Sequence, residues 1–100
     1  MFFVWDDWNT AHIGKHQVEP FEAEDVIRRA ARPYPKGMGN GKFLVRGRTR
    51  GGRRLNVIFV FRPPESIDAD LLSPEELLAL EQGENAAYVI HARDLRSGES

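Results

Sequence analysis

The arginines of "RGRTRGGRR", residues 46–54, and the pair His91 and Arg93 in "YVIHARDL" are the side chains here best suited to chemistry. A guanidinium keeps its proton at any physiological pH, and its planar fork meets two phosphate oxygens at once. An imidazole titrates near pH 6.5 and serves as acid or base around neutrality. If the chain is a metal-independent ribonuclease, these groups divide its work. A base deprotonates a 2′-hydroxyl, cations hold the attacked phosphate, and an acid protonates the leaving oxygen. On this reading Arg48 and Arg93 hold the scissile phosphate, Arg46 and Arg54 hold flanking ones, and His91 is the acid or base. Arg50, Arg53 and Arg62 extend the nucleic-acid-binding set. The plainer alternative is that His91 is a polar residue on a solvated strand and the arginines pair with acids elsewhere in the fold.

Charge along the chain favours the first view. Residues 1–27 hold six acids and one lysine, residues 28–62 hold eleven Lys or Arg and no acid, and residues 63–100 hold nine acids and two arginines. The net charge of -1 hides this segregation. A contiguous basic field attracts polyanions, so nucleic acid is the expected partner. With 41% hydrophobic and 29% charged residues over 100 positions, the chain is read as one folded domain over 1–100 rather than as a disordered segment. It has no cysteine, so disulfides and thiolate metal sites are excluded, which fits a cytoplasmic protein. "MFFVW" runs directly into Asp6 and Asp7, unlike a signal peptide, and no segment approaches the about 20 apolar residues of a membrane span.

These residues need a scaffold, and the periodicity predicts one. "FFVW" (2–5) reads as a strand, "DDWNTAHIGKHQ" (6–17) as a helix weakened by Gly14, and "PFEAEDVIRRAAR" (20–32) as a helix with Ala23, Val26, Ile27 and Ala30 on a buried stripe. "PYPKGMGNGK" (33–42) reads as a connector. "KFLVRGR" and "RRLNVIFVFR" read as a hairpin turning at Gly51-Gly52, and "AAYVIHAR" (86–93) as the last strand. Alternation along the strands collects Phe43, Val45, Leu55, Val57, Phe59, Phe61, Tyr88, Ile90 and Ala92 on a core face. Arg46, Arg48, Arg54, Asn56, Val89, His91 and Arg93 fall on the other. Residues 63–86 form an acidic insert whose helix starts at Ser73-Pro74 with Glu76 completing a capping box and stops at Gly83. Its seven acids between Glu65 and Glu84 could cover the basic face. His12 and His16 stand one helical turn apart, with Trp8 one turn earlier; with His91 they have a zinc-like spacing, but Ile13 stands where the metalloprotease motif needs Glu, and no metal is expected.

The segment "WDDWNTAHIGKHQVEPFEAEDVI" (5–27) resembles the amino-terminal part of the BrnT-like toxin family, and "GRTRGGRRLNVIFVF" and "YVIHARDL" are similar to its central hairpin and last strand. The resemblance covers about two thirds of the chain. It implies an α+β, RelE/ParE-like fold, two helices packed on one face of a small antiparallel sheet. It also implies a type II toxin ribonuclease that acts on RNA without a cofactor and is held by a cognate antitoxin. The "KH" pair adds Lys15 and His16 to the candidate catalytic set. The chain departs from the family in its acidic insert and in ending on "DLRSGES", where family members continue into a helix. A non-catalytic module that binds RNA or an antitoxin is the alternative.

Overall fold

Three helices and a five-stranded mixed sheet form residues 1–99, which the computed structural model describes. In chain order these are β1 (Phe2–Phe3), α1 (Asp7–Gly14), α2 (Pro20–Arg28), β2 (Lys36–Gly39), β3 (Lys42–Arg48), β4 (Arg54–Arg62), α3 (Pro74–Glu81) and β5 (Ala86–Asp94). Two single 3-10 turns lie between β4 and α3. The sheet order is β1-β5-β4-β3-β2, with β2 to β5 antiparallel to their neighbours and β1 parallel to β5. The fold is therefore α+β, and its sheet is not wholly antiparallel as expected. A parallel neighbour needs a long crossover, and everything from α1 to α3 separates β1 from β5.

Both amino-terminal helices are shorter than the periodicity suggests. α1 stops at Gly14, a poor helix former. α2 stops at Arg28, short of Arg32, which as the residue before Pro33 is itself disfavoured in helical backbone. Its stripe behaves as predicted: Ala23, Val26 and Ile27 are buried. They meet Val45, Leu55, Val57, Phe59, Ala87, Val89 and Ala92 from the sheet, and Ile13 and Val18 from the first helix and its turn. α1 packs on β5, α2 on β3 and β4.

Residues 33–42 are not a plain connector. Lys36–Gly39 pairs with β3 as an exposed edge strand, and the pair Gly39 with Lys42 closes a two-residue Asn40-Gly41 turn with φ of 54° and 74°. Asn-Gly between strands is the strongest short hairpin signal, because both positions need positive φ. The next turn differs in the opposite sense. Gly51-Gly52 does not form a two-residue loop; Gly52 N–H bonds Thr49 O with Gly52 at φ 88°, and Thr49 N–H pairs with Arg53 O.

The largest correction concerns β5. Its register steps from Phe59 opposite Val89 to Ile58 opposite His91, so Ile90 is an extra residue, a β-bulge. The bulge reverses the alternation amino-terminal to it. Ala87 and Val89 enter the helix-covered core, whereas Tyr88 and Ile90, expected there, join a second apolar cluster with Phe2, Val4, Ala86, Val60, Ile67, Leu72, Ala79 and Leu80. The acidic insert therefore docks over that cluster through its apolar side chains, and of the expected basic set it meets Arg62, which donates to Ser66. α3 itself starts and stops as predicted: Ser73 and Glu76 exchange capping bonds of 3.2 and 2.9 Å, and Gly83 at φ 83° ends it with Glu84 N–H bonded to Ala79 O.

One polar residue fixes α1 against β1. Asn9 is fully buried, its Nδ2 donating to Val4 O at 3.1 Å and its Oδ1 accepting from Asp6 N–H at 2.8 Å. Asn9→Leu leaves two backbone groups without partners and is expected to cost about 2–3 kcal/mol, measured by urea unfolding. An unchanged midpoint would show that water replaces both bonds.

Candidate functional site

β1 pairs only with Ala86 and Ala87, so α1 flanks the remaining length of β5. This brings the imidazoles together. The His91 ring lies 5.4 Å from that of His16 and 6.2 Å from that of His12, both tilted steeply to it. Trp8, one turn before His12, stacks on it at 4.7 Å and 8°, and lies 6.4 Å from Tyr88. The row of Trp8, His12 and His16 thus faces Tyr88 and His91. Burial first, then its neighbours His16, Arg93 and His12, hold His91 below the ordinary imidazole value and favour its neutral form. Tyr88 donates to both Asp6 carboxylate oxygens at 2.8 and 2.9 Å, and burial together with that bond pushes its hydroxyl up to about 12.

The bulge also sets where the guanidiniums go. His91 and Arg93 are two residues apart on one strand and share the outer face. Arg93 lies across from Asn56, which lies across from Arg46, so the three residues form a row over three strands. Arg46 Nε donates to Asn56 Oδ1 at 3.0 Å. Glu99 caps this row: it takes a bidentate pair from Arg93 at 2.8 and 3.0 Å and lies 3.7 Å from Arg46. The bonds from Arg93 and the Arg96 backbone hold the Glu99 carboxyl down at about 2. Arg93 thus meets a carboxylate with both ends of its fork, the geometry in which a guanidinium binds a planar oxyanion.

Arg48 and Arg54 are directly opposite each other on β3 and β4, both exposed, and neither has an acid partner among the described residues. Like charges in that register repel, so a bound anion would relieve the site. Lys15 is exposed on the turn beside His16. The other arginines of the expected set are placed differently. Arg53 is turned toward the helices and donates all five of its N–H groups, to Asp94 at 2.8 and 3.1 Å, Glu22 at 2.9 Å, Gln17 O at 2.8 Å and His16 O at 3.3 Å. It is a structural clamp with no donor left for a phosphate. Arg50 pairs with Asp25 at 3.6 Å, and Arg62 lies 4.6 Å above the Tyr88 ring and donates to Ser66.

Of the predicted catalytic residues, the structure brings His91, His16 and Arg93 together with Lys15 nearby in sequence, and puts Arg48 two residues along β3 from Arg46. His12, read from the sequence as packing against Trp8, does so and also reaches His91. Glu99 went unread because neither charge nor periodicity ties a terminal acid to a particular arginine. Among the described residues no group of three or more His, Asp or Glu side chains is disposed to hold a metal ion, and no helix is long and apolar enough to cross a membrane. No family model, no curated protein and no solved structure matches the chain.

Proposed function

We propose that the chain is a metal-independent endoribonuclease, the toxin of a type II toxin-antitoxin pair of the BrnT-like kind, with a RelE/ParE-like arrangement of its helices and sheet. The observation that carries the reading is His91, flanked by two further imidazoles and two residues from an arginine already holding a carboxylate. His91 takes the proton of the ribose 2′-hydroxyl, and the freed oxygen attacks the adjacent phosphorus. Arg93, with Arg46 and Arg48, neutralises the charge that grows on the phosphoryl oxygens. His16, on the other side of the site, gives its proton to the departing 5′-oxygen, leaving a 2′,3′-cyclic phosphate and a 5′-hydroxyl. Glu99 must leave Arg93 for the phosphate to enter. The antitoxin of such a pair neutralises it by covering this outer face.

Trp8 supports an RNA substrate in particular. It is 54% exposed beside His12, offering a face on which a base next to the cleaved phosphate stacks. Trp8→Ala is expected to weaken binding of a single-stranded RNA by about 5- to 100-fold and Trp8→Phe by much less, read by fluorescence anisotropy. Equal affinity for all three proteins would remove Trp8 from the site.

The non-catalytic alternative, an RNA- or antitoxin-binding module, draws on Glu99, which occupies the guanidinium that the chemistry needs. The two readings separate in one assay. Purified protein is incubated with mixed RNA at low salt with a chelator, beside the Arg48→Ala, His91→Ala double variant. Cleavage by the wild type alone supports the ribonuclease; binding without cleavage by either supports the module.

A further inference from the structure

α2 ends at Arg28, so Arg29 is its cap residue and Arg32 lies beyond the helix. Arg28 itself pairs with Glu24 at 3.5 Å and covers the Phe3 ring. Arg29 and Arg32 make no ion pair among the described residues and are exposed. Both line a cavity of about 320 Å³ between the segment after α2 and β3, together with Tyr34, Gly47, Arg46 and Arg48. The wall thus holds four arginines and no acid. Arg46 has Glu99 beside it, whereas Arg29, Arg32 and Arg48 make no ion pair among the described residues, and their charges suit an anion with several oxygens.

The pocket is continuous with the cleavage centre. Arg46 is common to both, lining the cavity and also lying beside Glu99 and Asn56. From Arg46 to Arg93 is two strand spacings, about 10 Å. A strand with one phosphate at Arg93 therefore has another within reach of the pocket. We infer that Arg29 and Arg32, with Tyr34, form a remote phosphate subsite that grips the backbone of the same RNA strand away from the scissile bond. This rests on the reading of RNA as the substrate. It gives the enzyme a preference for longer strands, because a substrate that ends at the cleavage centre leaves the subsite empty.

The test uses a single-stranded 2′-O-methyl RNA of about 12 nucleotides, within the usual site size. Without a 2′-hydroxyl it binds and cannot be cut. Its Kd is measured against salt concentration for the wild type and for Arg29→Ala, Arg32→Ala, with circular dichroism confirming that the variant is folded. Two lost phosphate contacts should lower the slope of log K against log salt by about 1.4, at about 0.7 each for a single strand. A 2′-O-methyl dinucleotide, too short to span both places, should bind both proteins equally. An unchanged slope, or equal losses for the long and short probes, would overturn the subsite. ATP binding that is lost in the variant while long-RNA binding is kept would also overturn it, assigning the pocket to a free nucleotide. Separate cleavage assays tell the two ideas apart: cutting with an unchanged slope sinks the subsite alone, and a lowered slope without cutting sinks the ribonuclease alone.

Discussion

Replacing His91 with alanine should lower the rate of RNA cleavage by about 10²- to 10⁴-fold, the usual contribution of one positioned acid or base. The substitution is a clean one because His91 makes ring contacts with His12 and His16 but is not in either apolar cluster. Its lowered pKa adds a pH signature. The neutral form is the base, so kcat/KM should rise with pH through a limb lying below 6.5, the value of an unperturbed imidazole. Stability follows with a definite sign. A basic group depressed on folding binds fewer protons in the native state, so its full contribution is present above pH 6.5 and is lost as pH falls through the folded value. The wild type should therefore lose more Tm between pH 7.5 and pH 5 than His91→Ala does. Equal losses would show that the imidazole is not desolvated.

Arg53 and Arg54 are adjacent in sequence and should behave in opposite ways. Arg53→Met removes five hydrogen bonds that tie the start of β4 to Asp94 on β5, to Glu22 on α2 and to the turn at His16 and Gln17. The Asp94 side chain is well exposed and its pairing is screened, so most of the effect comes from Glu22 and the two carbonyls. A loss of about 2–3 kcal/mol is expected, or a fall in Tm of roughly 8–20 °C for a domain of this size. Arg54→Ala relieves the repulsion with Arg48 across the hairpin and should leave Tm unchanged or slightly raised while weakening RNA binding. Calorimetry on the two variants decides it. Similar Tm values for both would mean that the clamp contributes nothing.

That contrast shows what could be read from residues alone. The charge segregation pointed to a basic surface, and period-2 counting placed Arg46, Arg48, Arg54, Asn56, His91 and Arg93 on one face, as found. Arg53 was grouped with them by composition, although its odd position puts it with Leu55 and Val57 toward the helices. The same counting failed for residues 86–90 because it cannot see an inserted residue. The continuous run "AAYVI" did carry a hint, since a strand without alternation is buried on both faces. Here one face meets the helices and the other meets the insert. The insert's destination was legible in its leucines rather than its acids, because docking follows buried apolar area while exposed charges stay solvated. Asn40-Gly41 was a readable turn that the surrounding glycines and prolines masked. The meeting of α1 with His91 was not readable, since it depends on β1 ending after two residues.

The central claim is cleavage by imidazoles and guanidiniums without a metal. It is tested most directly by the chemistry of the ends: wild-type protein is incubated with RNA in the presence of a chelator, and the fragments are analysed by mass spectrometry. The account predicts 2′,3′-cyclic phosphates paired with 5′-hydroxyls, and no cutting at a position whose 2′-hydroxyl is replaced by hydrogen. Fragments with 5′-phosphates, cutting at the deoxy position, or intact RNA under all conditions would contradict it.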